Sequence, residues 1–141
     1  MPDIRELIPV DVSIARVYPL VSSGEGLAKW WAEDAVVRPD GVDLGFFSRG
    51  TIYSLQLVRS TPEETEWLCQ SGKEWNGTRL RFLLSEAKGQ TTLRFTHANW
   101  EAETDYFLSC NTTWGALMFR LKAIAEGKAT APLFSRTGWT L

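Results

Sequence analysis

The chain has two cysteines and one histidine among 141 residues, and each scarcity removes a class of chemistry. Cys69 and Cys110 cannot build a disulfide framework, and their separation fits neither a CxxC redox pair nor a zinc knuckle, so both read as buried free thiols. With His97 alone, no second imidazole stands at ligand spacing, and no metal site is expected. Basic excess is also missing: 15 Lys and Arg stand against 17 Asp and Glu, a net charge of -2. Polyanion binding needs a basic face, so no nucleic-acid partner is expected.

No window approaches the roughly 18 apolar residues of a membrane span, and Asp3, Arg5 and Glu6 lie where a signal peptide needs its apolar stretch. The expectation is a soluble, cytoplasmic protein without membrane insertion. Walker and dinucleotide glycine patterns are absent, as is a GxSxG elbow, so no cofactor is expected and a serine hydrolase is unsupported.

What the chain has in quantity is aromatic: 7 Trp and 7 Phe beside 3 Tyr. Trp brings bulk together with an N–H that wants an acceptor. So many in one domain imply either a bulky core or an apolar pocket with a few polar contacts.

Periodicity supplies the elements. Ile4, Ile8, Val10 and Val12 share one parity of a first strand, with Glu6 breaking the inward set. Ser13 reads as the N-cap of a short helix through Val21, and Glu25 to Trp31 as a second helical turn. After the Pro39-Asp40-Gly41 turn come strands: Leu44 to Phe47, Thr51 to Val58, Thr65 to Ser71, Arg79 to Ser85 and Thr91 to His97, with Asn76-Gly77 read as a hairpin dipeptide. Near Thr104 the period becomes 3.6, and Phe107, Cys110, Trp114, Leu117, Leu121 and Ile124 mark a long amphipathic helix ending near Gly127. Glu101, Glu103 and Asp105 suit its positive N-terminal end. The tail from about residue 128 reads as irregular, with Leu133, Phe134 and Trp139 available to dock. This is an α+β order in one domain, 1–141, in which the last helix covers a curved antiparallel sheet.

Four segments, GLAKWW (26–31), EWNGTRLRF (74–82), LRFTHANW (93–100) and CNTTWGALMFRLK (110–122), stand in an order that resembles the START-like helix-grip superfamily, also called SRPBCC. Within it the chain resembles the bacterial branch similar to the C-terminal domain of the activator of a heat-shock chaperone ATPase. The resemblance implies a sheet wrapped around the long helix and enclosing a cavity entered near the two short helices. It would place Trp30 and Trp31 near the mouth and the stripe through Asn111 and Trp114 along the grip.

The ligand-binding candidates are Trp30, Trp31, Phe47, Tyr53, Trp67, Phe82, Phe95, His97, Trp100, Phe107, Asn111 and Trp114. Core packing is the alternative for each ring, a hydrogen-bonded neutral imidazole for His97, and a bond to His97 for Asn111. Three functions follow. The first is a non-enzymatic protein that binds a small apolar or amphipathic molecule, a lipid, polyketide or aromatic. The second is a cyclase- or hydratase-type enzyme using His97, and the third a chaperone-associated interaction module. A homodimer is compatible with each.

Overall fold

A computed structural model describes residues 1–130. Ten elements run in the order β1 (Ile4–Val10), α1 (Ile14–Val21), α2 (Gly24–Trp30), β2 (Asp34–Arg38), β3 (Gly41–Phe46), β4 (Thr51–Thr61), β5 (Glu64–Cys69), β6 (Arg79–Ala87), β7 (Gln90–Ala98) and α3 (Asp105–Ala125). The seven strands form one antiparallel sheet in the order β1-β7-β6-β5-β4-β3-β2. The fold class is the one expected: a curved sheet with the long C-terminal helix across its concave face. Leu133, Phe134 and Trp139 lie outside the described residues.

Alternation decides which side chains enter. Ile4, Ile8 and Val10 on β1, Leu80, Phe82 and Leu84 on β6, and Leu93, Phe95 and His97 on β7 all point inward and are buried. Their register sets Phe82 opposite Phe95 and Leu80 opposite His97. On the convex face Arg79 and Arg81 converge on Glu66 at 2.7 and 2.9 Å. Burial pushes that carboxyl upward, but the bonds from Arg81 and Arg79 outweigh it and hold the group below its ordinary value.

α3 starts where Thr104 Oγ1 accepts from the Phe107 N–H at 3.2 Å. It stops at Gly127, which takes φ +83 while Lys128 N–H donates to Ala123 O at 2.8 Å. Phe107, Cys110, Trp114, Leu117 and Leu121 face the sheet as their spacing requires. At the other end of the chain α1 and α2 cross at Gly26, where a Cβ would stand 1.9 Å from Pro19 O.

The structure departs from the sequence expectations at several elements. β2 was not anticipated, because an edge strand open to solvent shows no clean alternation. Ser13 occupies the N-cap position of α1 but its side chain caps nothing; Glu86 Oε1 accepts from Ile14 N–H instead, at 2.7 Å. Asn76-Gly77 is no tight hairpin. It closes a longer loop between β5 and β6, in which Gly77 takes φ +90 and Gly77 N–H donates to Cys69 O at 2.8 Å. That loop folds Trp75 completely into the interior. Finally, the first strand ends at Val10, two residues early.

Candidate functional site

The concave face is lined by rings in continuous contact. Trp31 stands 5.0 Å from Trp114 and 5.9 Å from Phe46 between ring centroids. Trp75 lies between Tyr53 at 4.3 Å and Trp114 at 6.1 Å, nearly parallel to both. Phe95 meets Trp114 at 4.3 Å and Phe82 at 5.1 Å. Trp100 closes the far side against His97 at 4.7 Å and, edge to face, Phe107 at 5.1 Å.

Of the twelve candidates read from sequence, nine fall on this surface: Trp30, Trp31, Tyr53, Phe82, Phe95, His97, Trp100, Phe107 and Trp114. Trp67 is buried further along, under α1, where its N–H donates to Val21 O at 2.8 Å. Two lie elsewhere. Phe47 falls in the turn after β3 with φ +53 and is 44% exposed, because Phe46 holds the inward parity with Val42 and Leu44. Asn111 is exposed on α3, and the place foreseen for it beside His97 is taken by Trp114. One step past Cys110 rotates a residue by about 100° around a helix, enough to carry Asn111 off the covered stripe. Trp75 was missed: a loop residue obeys no period, and only its place within EWNGTRLRF marked it.

His97 is held at both nitrogens. Trp114 Nε1–H donates to Nδ1 at 3.1 Å, which leaves the ring proton on Nε2 to be given to Thr78 Oγ1 at 2.8 Å. The Thr78 hydroxyl passes on to Trp75 O at 2.6 Å. Burial drives the imidazole pKa down to about 3, so it is neutral near pH 7. The ring links β7, α3 and the β5–β6 loop.

Among the described residues the indole N–H groups divide into two sets. Trp30, Trp67 and Trp114, carried by regular elements, donate to Leu20 O, Val21 O and His97 Nδ1. Trp31, Trp75 and Trp100, carried by the end of α2 and by two loops, are equally buried, and their N–H groups meet no oxygen or nitrogen acceptor. Only Trp75 has a weak one, the Cys110 sulfur. An orphaned buried donor costs about 1–3 kcal/mol, so two of them in one ring cluster, beside a third with only a sulfur, mark a place where acceptor atoms are wanted.

The β5–β6 loop that carries Trp75 separates two clefts. On one side a cleft of about 350 Å³ is bounded by Tyr53, Gly72, Trp75 and Tyr106. There the two tyrosine hydroxyls are 2.9 Å apart, and burial raises both, Tyr53 to about 12. On the other side a cleft of about 1020 Å³ runs past Asn76, Thr78 and Asn99 to Trp100. Cys69 and Cys110 are buried free thiols raised by burial to about 12 and about 11, and so are not thiolates near neutrality. No group of metal-ligating side chains occurs among the described residues, and none of their helices is long and apolar enough to cross a membrane.

Among solved structures the Aha1 dimer from Colwellia psychrerythraea is similar over 92% of this chain and all of that one, with a TM-score of 0.81 and 28% identity. This chain has the START-like helix-grip fold. Its resemblance to the Aha1 branch rests on that similarity. Two more distant structures share the fold alone: CalU16 from Micromonospora echinospora at 17% identity and TM-score 0.67, over 91% of this chain and 76% of that one, and DynU16 from the dynemicin biosynthetic locus at 14% and 0.70, over 89% and 47%. No family model matches the chain. No curated protein matches it either.

Proposed function

We propose that the chain binds a small apolar or amphipathic molecule between the concave sheet face and α3. The observation that carries this reading is a set of three buried indole N–H groups inside a core whose other indoles are satisfied: those of Trp31 and Trp100 lack any acceptor, and that of Trp75 has only the Cys110 sulfur. A flat molecule with one or two acceptor atoms supplies what these donors lack, while its apolar area, buried at about 25 cal/mol per Å², drives binding. Trp75 is the ring it displaces, since a loop rather than a helix or strand carries it and the adjoining clefts lie on either side.

His97 serves this reading as a positioning residue. Its two nitrogens are engaged by Trp114 and Thr78, and burial keeps it uncharged, which leaves neither a free lone pair nor a labile proton for chemistry on a ligand.

The test is native mass spectrometry of freshly purified protein, followed by titration with 1-naphthol read through tryptophan emission. A co-purified adduct, or saturable quenching that weakens in Trp100→Phe and Trp31→Phe, is the expected result. A bare mass together with unchanged emission would overturn the reading.

A further inference from the structure

β2 is the end strand of the sheet, bonded to β3 on one side, with α2 against its inner face. Among the described elements no strand pairs with its other edge, and Val36 and Val37 are 49% and 60% exposed. A free edge with apolar side chains is a template for another strand. We propose that it pairs with β2 of a second copy of this chain, antiparallel about a two-fold axis through Val36, so that two seven-stranded sheets become one.

Backbone direction fixes the register. The bond from Leu57 N–H to Asp40 O, at 2.9 Å, belongs to the wide ring around the Gly41 and Gln56 pair, so the peptide groups of Gly41, Asp43 and Gly45 turn toward β2. Their register partners Arg38, Val36 and Asp34 turn to meet them. Ala35 and Val37 therefore present their N–H and C=O groups to the open edge. In a two-fold antiparallel pairing these outward residues must bond to each other. Pairing Ala35 with Val37 of the second copy does so and makes four backbone hydrogen bonds.

The same register matches charge. With Val36 on the axis, Asp34 of each copy stands opposite Arg38 of the other, on the convex face where Val36 also lies. Shifting the centre to Ala35 or Val37 loses both charge pairs and sets Asp34 or Arg38 opposite a valine. The segment Asp34-Ala35-Val36-Val37-Arg38 is thus complementary to itself in the arrangement that pairs both of its outward-facing residues, Ala35 and Val37, with each other across the axis. Asp34 also pairs with Arg49, and Arg38 with Asp40 and Asp43 at 3.4 and 3.2 Å. Asp43 lies on β3 and Arg49 in the turn after it, and Arg38 also donates to Leu55 O of β4 at 3.1 Å, so both side chains lean over β3, partly open to solvent, and trade these partners for each other when the two edges pair. The proposal is independent of the ligand reading, since the ring cluster lies on the opposite face of the sheet.

The test combines crosslinking with charge exchange. Directly opposed residues in a non-bonded antiparallel pair have Cα atoms about 4.5 Å apart, within the roughly 4.4–6.8 Å that a disulfide spans. Val36→Cys under mild oxidation is expected to give a covalent dimer, and Val37→Cys is not; the native thiols are buried and do not compete. In sedimentation experiments Asp34→Lys and Arg38→Glu each place like charges opposite one another, and each is expected to weaken the dimer about tenfold. Mixing the two variants restores both opposite-charge pairs and is expected to restore association, which a folding defect would not permit. Folded Val36→Cys that stays monomeric overturns the proposal, as does Val37→Cys crosslinking equally well. Wild-type protein that sediments as a monomer at all concentrations, or a dimer indifferent to Asp34→Lys, also overturns it.

Discussion

At His97 a titratable group has been made into a structural one, and its pH behaviour shows the cost. The unfolded imidazole takes up a proton near pH 6.5, the buried one only near 3. Between these values the unfolded state binds the extra proton, so stability is complete above about pH 6.5 and falls as pH drops, by about 1.4 kcal/mol per unit. Urea unfolding at pH 6.5 and pH 5, compared between wild type and His97→Gln, is expected to show that extra slope in the wild type only. The bond partner gives a second prediction. Trp114→Phe and Trp31→Phe remove similar ring volume, but the first also strips the donor from His97 Nδ1 while the second removes an N–H that has no acceptor. Trp114→Phe is therefore expected to cost about 1–3 kcal/mol more in chemical denaturation. Inward parity alone made His97 legible as a buried residue. Its partners were not legible, because Thr78 and Trp114 lie 19 and 17 residues away and no local period connects them to it.

Among the elements, those with a wet and a dry face could be read and those without could not. β6 and β7 alternate cleanly, and α3 carries its stripe over five turns, so their inward residues follow from spacing. β2, the Trp75 loop and the choice between Phe46 and Phe47 escaped, since an edge, a loop and a strand end are each decided by what packs beside them. Close approaches are hidden in the same way. Gly26 reads in sequence as one glycine of a helical segment, yet it lies where the backbone of α1 crosses α2, and a Cβ there would stand 1.9 Å from Pro19 O and 2.8 Å from Leu20 Cα. Backbone on the receiving side cannot rotate away. Gly26→Ala is expected to destabilise by about 3 kcal/mol, the upper part of the range for overpacking, with a matching drop in melting temperature. Gly115→Ala on α3 is the control: its Cβ meets nothing nearer than Glu6 Oε1 at 3.9 Å, so it is expected to be neutral or slightly stabilising.

In the whole molecule, the first strand and the last helix are fastened to each other and to the centre of the ring cluster. β1 pairs with β7 so that Ile4 stands opposite His97. Where β1 ends, Glu126 Oε2 accepts from Asp11 N–H at 2.8 Å and from Lys122 Nζ at 2.7 Å, and Lys122 also donates to Pro9 O at 2.8 Å. The contacts to Asp11 and Pro9 join residues more than a hundred positions apart, so loop-closure entropy opposes them until the sheet is assembled. The two edges of the sheet therefore differ: among the described elements β1 is held mainly by β7 and α3, β2 mainly by β3 and α2. Local opening follows this difference, because a strand with fewer buried neighbours separates at lower free energy than one built into the core. Native-state hydrogen exchange in dilute protein is expected to find the β1 and β7 amides released only with global unfolding, and those of Ala35 and Val37 exchanging much sooner. Equal protection at the two edges would mean that the closure of β1 on α3 contributes nothing beyond ordinary strand pairing. A gradient from β1 to β2 would instead locate the rigid half of the grip around His97, and the half able to yield to a ligand or a second copy around β2 and the Trp31 end of α2.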